Sequence, residues 1–187
     1  MAHRIVSDEV FLATALDLFR TYGFEGVSLK QLADATGLEK ASLYYRYPGG
    51  KEAIAVAVAG EAVRWLQANV LAPLVGPGPP RKRLSLAAEK LREFYAGGSK
   101  ACIMDALSIR GSSEELQLAL KAAMQALVGA FARIAKESGH SSAAAKSKAE
   151  EAIVRLEGSL ILARVLGDTA CFECALKGLP DFLTTPQ

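Results

Sequence analysis

The spacing of apolar residues along this chain is that of α-helices. Over residues 7–22 they recur three or four positions apart and so form one helix face, which comprises Leu12, Ala15, Phe19 and Tyr22. Ser7 is placed to cap the first turn, and Gly23 is placed to end the helix. Runs rich in Val, Ile and Thr, which are typical of strands, are missing, so the pattern predicts an all-α protein.

Two short helices follow the first one. Ser28 is placed to cap the segment LKQLADAT, which Gly37 closes, and the next segment, EKASLYYRY, runs to a stop at Pro48-Gly49-Gly50. Two short helices joined by a tight turn that contains glycine are the pattern of a helix-turn-helix.

Longer helical segments make up the rest of the chain. They cover residues 51–74, 81–95, 112–138 (with Ser112 or Ser113 as the cap), 143–166 and 168–179, with a short irregular stretch at 102–110. The predicted fold is therefore all-α with about nine helices. An N-terminal three-helix helix-turn-helix domain, residues 1–54, precedes a C-terminal helical bundle, residues 55–187.

The third helix leaves polar and aromatic side chains facing outward. Leu38, Leu43 and Tyr47 turn inward, and the outward positions are Lys40, Ala41, Ser42, Tyr44, Tyr45 and Arg46. Adjacent exposed tyrosines favour a partner other than water. A helix laid in the major groove of DNA supplies one, because phenols and arginine bind phosphates while Ser and Ala reach base edges. The alternative is that one of the two tyrosines packs on the first helix.

These residues give the N-terminal segment a family resemblance. The string GFEGVSLKQLADATGLEKASLYYRYPGGKEAI, within residues 8–58, resembles the N-terminal domain of the TetR/AcrR family. The positions in register are Gly23, Ser28, Leu32, Ala33, Gly37, Leu43, Tyr44, Tyr45, Tyr47, Lys51, Glu52 and Ile54. Two features depart from the commonest family pattern: Arg46 stands where histidine is frequent, and PGGK has one residue more than the usual spacing before the lysine.

The resemblance implies a DNA-binding transcriptional regulator and not an enzyme. Its DNA-facing residues would be Ser28, Lys30, Lys40, Ala41, Ser42, Tyr44, Tyr45, Arg46 and Lys51. The last of these would meet a phosphate at a helix N-terminus. We expect a cytoplasmic repressor that binds palindromic double-stranded operator DNA as a homodimer and leaves it when a small, largely apolar effector binds. Residues 55–187 would then form the effector-binding and dimerisation domain, and no cofactor is implied.

Net charge adds little to this picture. The chain carries a net charge of +2, and residues 1–54 hold six basic and seven acidic residues. The electrostatic case for DNA therefore rests on where the cations lie, because residues 28–51 hold four cations against Asp34 and Glu39.

The C-terminal part offers an apolar helix and a set of pocket candidates. Residues 153–166 are apolar on nearly every side, which predicts a helix that is buried all round, in a dimer interface or alternatively at the centre of a monomeric bundle. The candidates for lining an effector pocket are Trp65, Phe94, Cys102, Met104, Met124 and Phe131. Apolar residues at helical spacing are equally those of an ordinary core.

The cysteines permit other interpretations. Cys171 and Cys174 form a CxxC, but a metal site would need a second nearby pair, and i, i+3 neighbours beside Phe172 and Ala175 favour packing instead. Cys102 is the candidate for a thiol sensor. An odd count of three cysteines, no signal-peptide pattern and no long apolar run predict a reduced cytosolic protein with no metal and no membrane span.

Two other classes of function compete with a regulator. A small helical enzyme could use Cys102 or a carboxylate, but the chain has no Ser/His/Asp set and no phosphate-binding glycine loop followed by Lys-Ser/Thr. A helical interaction module that has lost DNA binding would have no use for the outward tyrosines or for Lys51.

Overall fold

The computed structural model describes residues 6–108 and 113–186, and over these residues it confirms the all-α prediction. The described residues form nine α-helices and no strand. Their bounds are α1 Asp8–Gly26, α2 Leu29–Thr36, α3 Lys40–Arg46, α4 Gly50–Val75, α5 Pro80–Phe94, α6 Ile103–Leu107, α7 Glu114–Glu137, α8 Ser142–Leu166 and α9 Ala170–Thr184. Helix α4 contains a π-helical turn over Gln67–Leu71.

Local side chains define the ends of the first helices as predicted. The Ser7 hydroxyl accepts a hydrogen bond from the Val10 N–H at the start of α1. Ser28 and Gln31 form a reciprocal capping box on α2. Gly37 ends α2 with φ +70°, in the left-handed region that favours glycine.

Three predicted helix bounds differ from the structure. Helix α1, predicted to end at Gly23, kinks there and continues to Gly26. The stretch 102–110, predicted to be irregular, contains the short helix α6. Helix α9, predicted to end at Leu179, continues through Pro180 to Thr184. Pro180 and Leu183 are both buried, which offsets the hydrogen bond that a proline inside a helix cannot donate.

The chain divides into two compact units, and each of the helices α4 and α7 contributes to both. Of the described residues, 6–63, 103–108 and 113–121 form one unit, and 64–102 and 122–186 form the other. The helix-turn-helix therefore shares its unit with α6 and the start of α7, two segments that lie after residue 54. The functional division at residue 54 stays a prediction.

Aromatic and aliphatic side chains fill the core of the first unit. Phe11, Phe19, Leu32 and Leu43 are fully buried there. The ring of Phe11 stacks on that of Tyr47 with centroids 5.3 Å apart, which joins α1 to the end of α3. Helix α6 packs against α1 in the same unit.

The second unit is held together by α9, which packs against both α8 and α5. Phe172 of α9 is fully buried and meets the ring of Tyr95 edge to face at 5.7 Å. Tyr95 in turn meets Phe94, whose ring stacks on Trp65 of α4 at 4.5 Å. This aromatic row ties the C-terminal part of α4 to the other helices of its unit.

By length and composition alone, α4 and α7 are apolar enough to cross a membrane, contrary to the expectation from the sequence. Both helices nevertheless bury residues in the protein core, with Ile54 and Val58 in α4 and Phe131 and Ile134 in α7 fully buried. Core helices pass the same length and composition test as membrane spans, so these two properties do not separate the two cases.

Candidate nucleic-acid interface

Helices α2 and α3 pack against each other and leave most of α3 facing outward. Leu32 of α2 and Leu43 of α3 are both buried, and the αL turn at Gly37 allows the chain to reverse between the helices. Lys40 and Ala41 in the first turn of α3 are exposed, and Ser42 is half-buried. The first turn of α3 is thus open to a ligand.

The adjacent tyrosines of α3 have different surroundings. Tyr45 is 89% exposed and Tyr44 is 53% exposed. Tyr47, and neither of these two, stacks on the first helix through Phe11. The alternative that Tyr45 packs on α1 is therefore wrong in this structure.

The phenol of Tyr47 differs from those of its exposed neighbours. Its partial burial raises the pKa, Asp8 raises the pKa further, and Arg46 opposes the two. The Tyr47 hydroxyl is accordingly neutral and a hydrogen-bond donor at neutral pH.

Arg46 already has a partner in the first helix. Its Nη1 lies 3.2 Å from Oδ1 of Asp8, and the guanidinium side chain is half-buried while the carboxylate is exposed. This ion pair fixes the last turn of α3 against the start of α1. A phosphate that reaches Arg46 would therefore compete with an exposed carboxylate.

Lys51 is not the freely exposed side chain that the sequence predicts. Its side chain is 24% exposed, and Nζ donates to the carbonyl oxygen of Phe24 at 2.9 Å. The same Nζ lies 4.4 Å above the Phe24 ring centroid and 3.8 Å from Oε2 of Glu25. The cause is the turn after Gly23, where φ is +70° and the helix breaks, which brings the carbonyl of Phe24 within reach of α4.

The extra glycine before Lys51 is accommodated by a tight turn. Gly50 is buried with φ +63°, and its N–H donates to the Tyr47 carbonyl at 2.8 Å. A Cβ built on Gly50 would lie 3.8 Å from Leu29 Cδ1 and 3.9 Å from Tyr44 Cε1. The inserted residue thus seats the start of α4 beside α2 and α3.

The two remaining predicted contacts lie at the start of α2. Ser28 and Lys30 are exposed, and the Ser28 hydroxyl is engaged in the capping box with Gln31. Together with Lys40, Ala41 and Tyr45, they complete the exposed part of the predicted face.

One contact in this unit, between Glu52 and Ser113, was not predicted from the sequence. A carboxylate oxygen of Glu52, in the first turn of α4, accepts the backbone N–H of Ser113. Of the two serines predicted to cap α7, Ser113 accepts the N–H of Leu116, whereas Ser112 lies outside the described residues. The 61 positions between Glu52 and Ser113 explain why no local pattern predicts their contact.

Comparison with known proteins identifies this helix-turn-helix. Residues 11–58 match the family model described as bacterial regulatory proteins, tetR family. The HTH-type transcriptional regulator LmrA of Bacillus subtilis is 24% identical over 183 residues, which cover 95% of this chain and 96% of LmrA. The N-terminal helix-turn-helix is thus a TetR-family domain.

Other similar proteins match either this domain or the fold. The HTH-type transcriptional regulator RutR of Escherichia coli K12 is 42% identical over 50 residues, which are 27% of this chain and 23% of RutR. A TetR transcriptional regulator from Legionella pneumophila has the same fold, with a TM-score of 0.85 at 21% identity over 97% of this chain and 100% of that one. DNA-binding regulation of transcription is therefore the function of this non-enzymatic family.

The six predicted effector residues lie apart from three surface grooves of the described residues, and their role in binding an effector stays a prediction. Trp65 and Phe94 stack on each other, and Cys102 is buried 3.6 Å from the hydroxyl of Tyr95. Phe131 is fully buried, and Met104 and Met124 are half-buried on α6 and α7. None of the six lines the grooves that the described residues form beside α1, between α5 and α9, or between α4 and α7.

The two cysteines of the CxxC differ in exposure and in hydrogen bonding. The Cys171 thiol donates to the Ser159 carbonyl at 3.2 Å, whereas Cys174 is exposed. Within the described residues, no group of three or more His, Cys, Asp and Glu side chains could hold a metal ion.

Proposed function

We propose that this regulator is a cytoplasmic repressor that binds a palindromic operator as a homodimer and leaves it when a small molecule binds. The DNA face consists of the exposed side chains at the start of α2 and along α3. The exposure of Tyr45 carries this assignment, because an 89% exposed aromatic ring in the second helix of a helix-turn-helix has no internal structural role.

A matched pair of tyrosine variants tests the DNA face. Operator duplexes are first selected from random sequence at a stated salt concentration, since affinity depends strongly on salt. Tyr45→Ala should then weaken binding about tenfold or more, because each subunit loses a charge-assisted hydrogen bond to phosphate. Tyr22→Ala is the control, since Tyr22 is 56% exposed on α1 but lies outside the proposed face.

The outcome also separates DNA binding from a helical interaction module. If Tyr45→Ala and Tyr22→Ala bind the selected duplexes as tightly as the unaltered protein, the assigned face is wrong. If selection yields no duplex that the unaltered protein prefers, an interaction module is the better interpretation.

The surface of α8 supports the homodimer. Val154, Ile161, Leu162, Val165 and Leu166 are all exposed in the isolated chain and follow one another at helical spacing. The sequence predicted that this helix is buried all round, and one chain alone does not bury it. A monomeric bundle with α8 at its centre would cover this stripe, so a second copy is the occupant that we propose.

Twofold symmetry determines the form of the operator. Two copies present two α3 helices, so the operator should be an inverted repeat with half-sites roughly 34–36 Å apart, or a multiple of that distance. A repeat that is direct instead of inverted among the selected duplexes would contradict a twofold dimer.

Effector release requires a physical connection between the DNA face and the second unit. Helix α4 provides one, because it begins at Gly50 beside α2 and α3 and continues to Val75 among the residues of the second unit. Its 26 residues span about 39 Å at ~1.5 Å per residue. A ligand that shifts the C-terminal part of this helix would therefore change the position of its start, at a typical coupling of about 1–3 kcal/mol.

A further inference from the structure

We infer that the groove between α4 and α7 is the effector site and that it binds a small amphipathic anion, an apolar body with a single carboxylate-like head. This inference rests on the proposed effector release and names its site and ligand class. The groove lies within the second unit, is open to solvent along one side and has a volume of about 600 Å³, within the range of small-molecule sites. Its lining consists of Gln67, Leu71, Ala72, Val75, Ala126, Gly129, Ala130 and Arg133.

The lining is apolar along its length and small on the α7 side. Leu71 and Val75 come from α4, and Ala126, Gly129 and Ala130 come from α7. A Cβ built on Gly129 would meet no atom within 4 Å, so the α7 side of the groove is open. The lining residues of α4 extend over about two helical turns, or ~12 Å at ~1.5 Å per residue, which suits an extended chain.

The single cation of the lining lies at one end of the groove. Arg83 donates from one guanidinium nitrogen to the Leu74 carbonyl and from another to the Glu137 carboxylate, so α4 and α7 end on the same side of the unit. Arg133, one turn before Glu137, is therefore at the Val75 end. Gln67 and Ala126 are at the opposite end.

Charge complementarity decides the class of ligand. The exposed guanidinium of Arg133 forms no ion pair with any described residue, and the groove lining contains no Asp or Glu. An apolar body in the groove would lie against Leu71 and the alanines while its anionic head binds the guanidinium, which pairs well with carboxylates. A neutral ligand would gain no charge-assisted contact with this guanidinium.

Helix α4 is irregular at this groove. Pro73 has no N–H to donate, and the helix before it adopts a π-helical turn over Gln67–Leu71, in which the Ala72 N–H donates to the Gln67 carbonyl. Two of the lining side chains, those of Gln67 and Leu71, come from this turn. Such π-helical turns inside α-helices are frequent at functional sites.

The two helices that line the groove are the same two that begin in the DNA-binding unit. There the Glu52 carboxylate of α4 accepts the N–H of Ser113 at the start of α7. A ligand that separates the C-terminal parts of α4 and α7 would act on two helices that are linked at their other ends. This arrangement gives a route from the groove to the turn that carries Gly50 and Lys51.

Decanoate and decan-1-ol, two ten-carbon probes that differ in charge, test the inference by calorimetric titration of the full-length protein. Decanoate should bind saturably and at least about tenfold more tightly than decan-1-ol, as expected for a charge-assisted contact. Arg133→Gln should remove this preference and leave decan-1-ol binding unchanged. Lys136→Gln is the matched control, because it removes the same charge from an exposed residue of α7 that does not line the groove.

A second variant tests the shape of the site without removing charge. Gly129→Leu should fill the open side of the groove and weaken both probes about tenfold or more, while the better helix propensity of leucine keeps the protein folded. Absence of saturable decanoate binding would overturn the inference, and so would decanoate binding that survives both Arg133→Gln and Gly129→Leu.

Titration of the operator complex separates this inference from the proposed effector release. Decanoate that binds at Arg133 and lowers operator affinity supports both. Decanoate that binds there without changing operator affinity rules out this groove as the effector site. Another molecule that releases the operator equally from Arg133→Gln, Gly129→Leu and the unaltered protein supports effector release and places the effector elsewhere.

Discussion

Replacement of Leu162 by glutamate should dissociate the homodimer while each subunit stays folded. Leu162 lies on the exposed stripe of α8 and is 50% exposed in the isolated chain. The Leu162 side chain therefore stabilises the fold of one subunit only a little. In a dimer, its exposed half would be buried and would stabilise the interface. Glutamate at this position would remove that apolar contact and bury a carboxylate without a partner.

The expected size of the effect follows from this exposure. Full burial of a leucine stabilises by about 1.5–3 kcal/mol, so burial of the accessible half stabilises by about 0.7–1.5 kcal/mol per subunit. A twofold interface counts the change twice, so the apolar loss alone is about 1.5–3 kcal/mol per dimer, or roughly 10- to 150-fold in the dissociation constant. Desolvation of each unpaired carboxylate adds up to several kcal/mol, so the dimer should be lost at micromolar concentrations.

Sedimentation velocity over a concentration series measures this change directly. The unaltered protein should sediment as a dimer, and Leu162→Glu as a monomer with an unchanged helical circular dichroism spectrum. Ile161→Glu should behave in the same way. Leu118→Glu is the control, because Leu118 is 57% exposed on α7, outside the α8 stripe, and its replacement should leave the dimer intact. A folded monomer from the unaltered chain, or a Leu162→Glu protein that dimerises normally, would refute the reasoning.

Three further predictions concern the start of α4. Lys51→Ala should lower operator affinity, and it should also lower the free energy of unfolding by about 1–2 kcal/mol because Nζ binds the carbonyl and the ring of Phe24. Chemical denaturation measures the free energy of unfolding, and an unchanged midpoint would contradict the contact. Gly50→Ala should destabilise the protein by about 1–2 kcal/mol in the same assay, since alanine resists φ +63°, and a stabilised variant would exclude that strain. Glu52→Gln should retain operator binding, measured by fluorescence anisotropy, but show weaker ligand-induced release because the amide is a poorer acceptor for the Ser113 N–H. Unchanged release would show that this hydrogen bond does not carry the effect of the ligand to the DNA face.

The sequence by itself determined the helix-turn-helix, because its signals are local. The caps at Ser7 and Ser28 and the αL turn at Gly37 depend on residues at most five positions away. The outward position of Tyr45 follows from helical periodicity once Leu43 is buried. Local spacing therefore predicted both the fold class and the exposed tyrosine.

Only the tertiary structure decided how the cations of this region are used. Lys51 binds a carbonyl 27 residues away, and Arg46 pairs with an aspartate 38 residues away. A lysine or an arginine is free of an internal partner only when the fold brings no distant carbonyl or carboxylate within about 4 Å of it. The local spacing of residues does not determine these long-range contacts.

The same reason separates the predicted effector residues from the groove. Trp65 and Phe94 look like pocket candidates in the sequence, yet they stack on each other, whereas the lining of the groove includes Gly129 and Ala130, which no sequence pattern singles out. A cavity is the space that packed helices leave between them, and small residues create it because their side chains do not fill that space. The apolar sequence of α8 likewise required burial, but only the packing of one chain showed which of its faces stays exposed.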